Sequence, residues 1–172
     1  MAITASRRTF LKAGLAGTII LATAGGVYRA TAGRAPPGKF ILDAEGKAAL
    51  GAIVGVVLQG ALPADAQAID VAIARTQETI AGLPLIVQKE IQDLFGLLVF
   101  APTRRLLAGV PVRWADATPD DVTEFLQSWR MHRFAMLQSA YQALHDLILG
   151  GWYADESTWE SIGYPGPMKV LS

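Results

Sequence analysis

The chain has 172 residues with 15 basic and 15 acidic side chains, but every acidic residue follows position 32. Beyond that position 11 basic residues stand against 15 acidic ones, a net charge of −4, which argues against a nucleic-acid-binding protein, and the remaining length of about 140 residues predicts one domain. The lack of cysteine excludes a thiolate nucleophile, iron–sulfur ligands and covalent haem attachment, and leaves packing instead of disulfides to stabilise the fold.

The first 32 residues have the three parts of an export signal. A basic start precedes an uncharged run over 13–27, and the small residues Ala30 and Ala32 then suit a signal peptidase. The stretch "SRRTFLK" closely resembles a twin-arginine translocation signal. The matching residues are Ser6, Arg7, Arg8, Phe10, Leu11 and Lys12. We therefore predict that 1–32 is a twin-arginine signal peptide, which takes the chain through the twin-arginine translocon to the periplasm.

A retained amino-terminal membrane anchor is the alternative for the same segment. The apolar run over 13–28 is shorter than the roughly 20 residues that span a bilayer comfortably. Arg29, close to the predicted cleavage site, keeps this alternative open, and an anchor would hold the protein at the inner membrane.

A linker over 33–42 is predicted next, because Pro36 and Pro37 disfavour a helix, and the helical domain is predicted over 43–172. Asp43 is the predicted N-cap of a first, central helix that ends at "GALPAD". Its apolar stripe consists of Ala48, Leu50, Ile53, Val54, Val57 and Leu58.

Two further helices are predicted over 66–82 and from 85 to about 101, where Pro102 ends the second. The predicted inward residues are Ile69, Ile73 and Ile80 in the first of these, and Ile86, Ile91, Leu94, Phe95 and Leu98 in the other. Asp70, Arg75 and Glu78 are predicted to face outward. Arg104 and Arg105 begin a short helical turn, and Gly109 with Pro111 then requires a loop.

The best-defined predicted element is a long helix that begins at Thr118-Pro119-Asp120-Asp121, a hydroxyl cap followed by proline and two carboxylates. Apolar residues keep helical spacing for some thirty residues until Gly150-Gly151. They are Val122, Phe125, Leu126, Trp129, Phe134, Leu137, Tyr141, Leu144 and Ile148. The predicted fold is therefore all-α, an irregular bundle of four to five helices with a long C-terminal helix and an ordered, aromatic-rich tail.

A search for catalytic groups finds no convincing cluster. His132 and His145, 13 residues apart on the predicted long helix, point in different directions and do not share a metal or haem. Asp120 and Asp121 are better explained as N-terminal charges that complement the helix dipole. Phosphate-binding, nucleophile-elbow and dinucleotide motifs are absent from the sequence. We predict no catalytic, cofactor-binding or metal-binding residue in this chain.

Two segments are candidates for contact with a partner. The basic cluster from Arg130 to Arg133 is interpreted as a solvated face or as pairing with Asp121 and Glu124, with a partner contact as the alternative. The tail "GGWYADESTWESIGYPGPMKVLS" holds many large apolar residues that need cover, either from the bundle itself or from another subunit. The predicted partner-binding residues are Trp152, Tyr153, Trp159, Tyr164, Pro165, Gly166 and Pro167.

The end of the chain resembles the gluconate 2-dehydrogenase subunit 3 family. The resemblance lies in a stretch rich in aromatic residues, in Trp159 and in the Gly-Tyr-Pro-Gly-Pro motif from Gly163 to Pro167. The twin-arginine start and "ALPAD" at 61–65 agree with this resemblance, whereas 66–118 matches only in helical character. The resemblance implies a small exported subunit that accompanies a large FAD-dependent dehydrogenase of the glucose-methanol-choline type. In such complexes the large subunit oxidises an alcohol or sugar, a cytochrome c subunit with haem often carries the electrons onward, and the small subunit supplies the export signal and stability.

A rival interpretation is a stand-alone periplasmic helical protein that binds a small apolar ligand. Its many alanines and valines would then line a pocket between the helices instead of filling a core. The two interpretations differ in whether a large flavoprotein partner accompanies the chain.

Overall fold

Helices account for the regular structure of the domain. The computed structural model describes residues 39–65, 67–159 and 162–166, and within them it contains α-helices and no strand, which confirms the predicted all-α class. The helices are α1 (Ala44–Val57), α2 (Ala68–Ala81), α3 (Leu85–Val99), the three-residue α4 (Ala101–Thr103), α5 (Pro119–Arg130) and α6 (Ala135–Tyr153). A π-helical turn, Arg104–Ala108, follows α4, and 3-10 turns occupy Trp114–Asp116 and Glu156–Thr158.

Helix α1 is the centre of the bundle, as predicted. The Asp43 carboxylate accepts the backbone N–H of Gly46 at 2.7 Å and so supplies the expected N-cap. The side chains of Leu50, Ile53 and Val54 are completely buried. Since α1 contacts α2, α3, α5, α6 and the turn at Trp114–Asp116, it fixes the position of nearly every other element.

The domain begins earlier than position 43. Phe40 and Leu42 are buried, and the Phe40 ring meets that of Phe95 edge-on at 5.8 Å. The backbone N–H groups of Phe40 and Ile41 donate to the side-chain oxygens of Gln88 and Gln92, each at 3.0 Å. Residues 40–42 therefore belong to the helical domain and not to a linker, because the side chains of Phe40 and Leu42 are buried and the backbone of 40–41 is bonded to α3, although the Ile41 side chain is 71% exposed.

The predicted inward faces of α2 and α3 are wrong at one position each. Ile69 is 41% exposed and Ile86 is 66% exposed. Opposite Ile69, α1 presents Gly51 and Gly55, which have no side chain to cover it. Near the start of α3 the side chain of Gln88 is buried instead of that of Ile86, and its amide group donates to the carbonyl oxygens of Ala81 (3.0 Å) and Leu83 (2.8 Å).

The predicted single long helix is two helices. Residues 131–134 are not helical, and α5 and α6 pack against each other on either side of them. The His132 Nδ1 atom accepts the backbone N–H of Phe134 at 3.1 Å, and the Gln138 amide donates to the His132 carbonyl at 2.8 Å. These local bonds replace helical ones. A continuous thirty-residue helix would be about 45 Å long, and its two halves could not pack against each other as α5 and α6 do.

Helix α6 runs beyond Gly150 and Gly151 to Tyr153, so this glycine pair does not end it as predicted. A methyl group at Gly151 would lie 2.9 Å from Thr79 Oγ1 and 3.2 Å from the Arg75 carbonyl oxygen. The second glycine therefore allows the backbones of α2 and α6 to approach closely. Gly151 is therefore needed for helix packing, although a glycine that follows an apolar helical pattern usually predicts the end of the helix.

An aromatic cluster that the helical pattern did not predict closes one side of the core. Trp114, 1% exposed, meets Phe125 edge-on at 5.6 Å, and Phe125 meets Trp129 at 4.8 Å. The indole N–H of Trp114 donates to the Leu98 carbonyl at 2.8 Å. The irregular segment after Gly109, which adopts a left-handed φ of 71°, thus inserts its tryptophan between α3 and α5.

Helix α5 begins with the predicted hydroxyl cap at Thr118, which forms a capping box with Asp121. Thr118 Oγ1 accepts the Asp121 N–H at 3.2 Å, and the Asp121 carboxylate accepts the Thr118 hydroxyl at 2.7 Å and its N–H at 2.9 Å. These hydrogen bonds, the hydroxyl first, lower the pKa of Asp121 below its ordinary value. A lowered carboxyl pKa means that this contact stabilises the folded state fully above the ordinary pKa and ceases to do so as the pH falls through the lowered one.

Replacing Thr118 with alanine is expected to raise the pKa of Asp121 toward its ordinary value, because the hydroxyl donor is lost. The measurement is a carboxyl NMR titration of Asp121. The matched control is Thr123→Ala, which removes a hydroxyl that donates to the Pro119 carbonyl in the same helix. An Asp121 pKa that stays the same in the Thr118 variant would show that the capping box does not form in solution.

Candidate partner-binding surface

The predicted partner-binding residues separate into two groups. Trp152 is 5% exposed and packs in the core of the bundle. Tyr153 is half-buried against the same core. By contrast, Tyr164 is 46% exposed and Pro165 is also exposed, and so is their neighbour Ile162 (53%), which was not among the predicted residues. Pro167 lies outside the described residues.

The exposed group is part of one turn that is tied to the end of α6. The Trp159 indole N–H donates to the Tyr153 carbonyl at 2.8 Å, and the N–H groups of Ile162 and Tyr164 donate to the Trp159 carbonyl at 3.2 and 3.0 Å. The rings of Trp159 and Tyr164 meet edge-on at 5.2 Å. We call this surface the aromatic turn; it consists of Trp159, Ile162, Tyr164, Pro165 and Gly166.

Two glycines allow the chain to follow this path. Gly163 and Gly166 adopt positive φ angles of 69° and 88°, which other residues rarely adopt. A methyl group at Gly166 would also lie 3.3 Å from a ring carbon of Trp159, so the backbone crosses close to the indole. The Gly-Tyr-Pro-Gly sequence therefore holds the turn against Trp159 and leaves the Tyr164 ring partly in solvent.

Arg75 lies beneath the start of the tail, although the sequence predicted that it faces outward. Its guanidinium stacks over the Trp152 ring, 4.9 Å from the centroid, and pairs with the Asp155 carboxylate. Within the described residues, Arg75 Nη1 and Trp152 Nε1 are buried without a hydrogen-bond partner. Helical periodicity could not reveal this role, because the partners of Arg75 come from the far end of α6.

The link between Arg75 and Asp155 orients the tail on the bundle. Asp155 also accepts the Ser157 N–H at 2.8 Å and so caps the 3-10 turn that leads to Trp159. The hydrogen bonding from Ser157, followed by the nearby Arg75 guanidinium, lowers the pKa of Asp155. This contribution to stability is therefore present above the ordinary carboxyl pKa and is lost as the pH falls through the lowered value.

Replacing Asp155 with asparagine is expected to loosen the aromatic turn at neutral pH, because the ion pair with Arg75 and the charged acceptor for Ser157 are both lost. Faster hydrogen–deuterium exchange of the Tyr164 amide would report this loosening. Asp146→Asn makes the same charge change on the exposed face of α6 and should leave that exchange rate unaltered. Equal exchange rates in the wild type and the Asp155 variant would contradict the anchoring role.

The titratable side chains considered in the sequence do not form a site. His132 lies in the bend between α5 and α6, so it does not share a helix with His145 as predicted, and its Nδ1 is used by the Phe134 N–H. Asp121 belongs to the capping box. Among the residues that the structure describes, no three side chains of histidine, aspartate or glutamate come together as metal ligands.

A surface groove of about 630 Å³ lies between α1 and α2, beside Trp114–Asp116. Its lining includes Ala48, Gly51 and Ala52 together with the charged Lys47 and Asp70. The groove is open to solvent, whereas small-molecule sites usually bury most of the ligand surface. The fully buried alanines, Ala49 and Ala72, fill the core and do not line this groove.

The predicted targeting residues, Arg7, Arg8, Phe10, Leu11 and Lys12, lie outside the described residues. In the part of the chain that is described, no helix combines the length and the apolar character needed to cross a membrane. Comparison of the chain with protein-family models, with curated proteins and with solved structures finds no match.

Proposed function

We propose that this protein is the non-catalytic small subunit of a periplasmic FAD-dependent alcohol or sugar dehydrogenase complex. In this role it carries the twin-arginine signal for the pair and stabilises the large flavoprotein. The proposal places FAD in the large subunit, with haem in a cytochrome c subunit where one is present. The observation that carries it is the aromatic turn, an anchored surface with two large apolar side chains, Ile162 and Tyr164, about half in solvent.

The geometry of the turn suits an interface anchor. Aromatic side chains dominate binding energy at protein interfaces, especially where they are held rigidly before binding. The Tyr164 ring packs edge-on against Trp159, whose indole is itself bonded to the Tyr153 carbonyl, so little side-chain freedom remains to be lost on association. The resemblance of the same residues to the family motif supports a large flavoprotein as the partner.

The export signal accounts for why a small subunit is needed. A flavoprotein binds its cofactor in the cytoplasm and must cross the membrane already folded, and the twin-arginine route carries folded proteins. On this proposal Arg7 and Arg8, with Phe10, Leu11 and Lys12, engage the translocon, and the flavoprotein is exported with the chain to which it is bound.

The test uses full-length tagged chains expressed with their native neighbours. Ile162→Ser with Tyr164→Ser is expected to reduce the flavin that co-purifies with the tag by at least tenfold, since two central anchors are worth several kcal/mol together (about 2 each). Leu85→Ser with Ile86→Ser, which alters two exposed aliphatic residues on α3, is the matched control and should retain the flavin. Full retention of flavin by the aromatic-turn variant would exclude the turn as the interface.

Export provides a second arm of the same test. Arg7→Lys with Arg8→Lys is expected to leave both this chain and the flavoprotein in the cytoplasm, because one signal serves the two proteins. A flavoprotein that still reaches the periplasm in this strain would contradict shared export without affecting the binding result.

A stand-alone ligand-binding protein is the second candidate, and the groove between α1 and α2 is the feature that favours it. Its open shape and its charged lining residues make it a poor enclosure for an apolar ligand. This second function replaces the first if two results are found together. The tagged wild-type chain purifies from the periplasm without a partner, and it binds an apolar dye that the Gly51→Leu variant does not bind.

A further inference from the structure

Two segments without any carboxylate meet at the end of α5. No aspartate or glutamate occurs in the sequence from 94 to 115 or from 125 to 145, although the domain as a whole is acidic. The Trp129 indole N–H donates to the Leu107 carbonyl at 2.7 Å and thereby joins the two segments. The α5 helix also contacts the π-helical turn Arg104–Ala108 directly. One end of the domain therefore collects positive charge.

Most arginines of these segments lack an ionic partner. Among the described residues, Arg113 pairs with Glu45, whereas no ion pair involves Arg104, Arg105, Arg130 or Arg133. Arg105, Arg130 and Arg133 are exposed. Arg104 is 5% exposed, and its Nε lacks a hydrogen-bond acceptor. Because no ion pair among the described residues neutralises these four arginines, we expect a positive potential at this end of the domain.

Large apolar side chains protrude between the arginines. Met131 is 77% exposed, Leu106 69%, Met136 63% and Phe134 47%. We call this surface the arginine corner; it consists of Arg105, Leu106, Arg130, Met131, Arg133, Phe134 and Met136. Residues 131–134 of the corner form the bend between α5 and α6. This bend is stabilised by the hydrogen bond from the Phe134 N–H to His132 and by the Arg133 guanidinium, which lies 4.9 Å from the centroid of the Phe134 ring.

We propose that the arginine corner docks on an anionic lipid bilayer. The three exposed arginines of the corner complement the negative charge of anionic lipid headgroups, and four exposed apolar side chains lie among them. The sequence "RMHRFAM" at 130–136 places arginine beside methionine and phenylalanine. This mixture suits the boundary between headgroups and acyl chains, where methionine, leucine and phenylalanine enter the apolar layer and arginine binds lipid phosphate.

The test must report on the corner itself, because the apolar run at 13–27 of the full chain also has affinity for bilayers. Since the chain has no cysteine, Met131→Cys provides a single attachment point for an environment-sensitive fluorophore. With vesicles containing phosphatidylglycerol, the emission of this label is expected to shift to the blue. A label at Glu78→Cys, an exposed position on α2, is the reference and should not respond.

Charge variants then identify the cause of the shift. Arg130→Gln with Arg133→Gln is expected to raise the lipid concentration needed for half of the shift about 25-fold, a factor of about five for each arginine. Lys39→Gln with Lys47→Gln makes the same charge change at two exposed lysines elsewhere and should have little effect. The shift should also disappear in pure phosphatidylcholine vesicles and in 1 M salt, where the Debye length is about 3 Å.

Three results with vesicles would overturn the proposal. They are a Met131 label that remains in water with anionic vesicles, a shift of equal size with neutral vesicles, and a shift unaffected by the two arginine substitutions. A label that responds only when a protein partner is added would assign the corner to a protein interface and would equally exclude lipid docking.

Discussion

Replacing Trp114 with alanine is expected to lower the free energy of unfolding by about 3–5 kcal/mol, the largest effect of any single substitution considered for this domain. The side chain is 1% exposed, it packs edge-on against Phe125, and its indole N–H satisfies the Leu98 carbonyl at 2.8 Å. Alanine removes the ring contacts and leaves a cavity among α1, α3 and α5. Urea denaturation followed by far-ultraviolet circular dichroism measures the loss.

The Trp114→Phe variant separates the contribution of the ring contacts from that of the hydrogen bond to Leu98. Phenylalanine keeps an aromatic ring beside Phe125 but cannot donate to Leu98, so the expected loss is smaller, about 1–3 kcal/mol. An alanine variant as stable as the wild type would mean that Trp114 does not lie in the core in solution.

Substitution with alanine is expected to change the stability of the domain in opposite directions at two neighbouring glycines of α6, Gly150 and Gly151. A methyl group at Gly151 would meet Thr79 Oγ1 at 2.9 Å and the Arg75 carbonyl oxygen at 3.2 Å, and the backbone atom cannot move aside without separating α2 from α6. Gly151→Ala should therefore destabilise the domain by about 1–3 kcal/mol.

Gly150 is the matched control for this overpacking. It is exposed, and a methyl group there would meet nothing within 4 Å. Gly150→Ala should stabilise α6 by about 0.5–1 kcal/mol, because alanine loses less conformational freedom than glycine in a helix. The two variants are compared by their urea midpoints. A destabilised Gly150 variant, or a Gly151 variant as stable as the wild type, would refute the close approach of α2 and α6.

Local signals in the sequence were sufficient to predict the starts of α1 and α5. Asp43 and Thr118 act through atoms within three residues, so the sequence alone contains their hydrogen bonds. The bend at residues 131–134 could not be predicted in the same way. It contains neither proline nor glycine, and the pairing of His132 with Phe134 competes with the helix only because α6 can then return to pack on α5.

The candidate partner-binding surface was predicted only in part, because contacts between distant residues decide which of its side chains are buried. Composition indicated that the aromatic tail needs cover, but it could not distinguish Trp152, which the bundle buries, from Tyr164, which remains 46% exposed. That distinction depends on α6 continuing through Gly151 and on Arg75 meeting both Trp152 and Asp155 from α2. Contacts between residues so distant in the chain leave no periodic signal in a single sequence.

The mass and absorption spectrum of the tagged wild-type protein, purified from the periplasm under native conditions, test the proposed function most directly. The proposal predicts a particle several times heavier than the 18.3 kDa chain, with the absorption spectrum of a flavin. A colourless particle with the mass of this chain alone would contradict it.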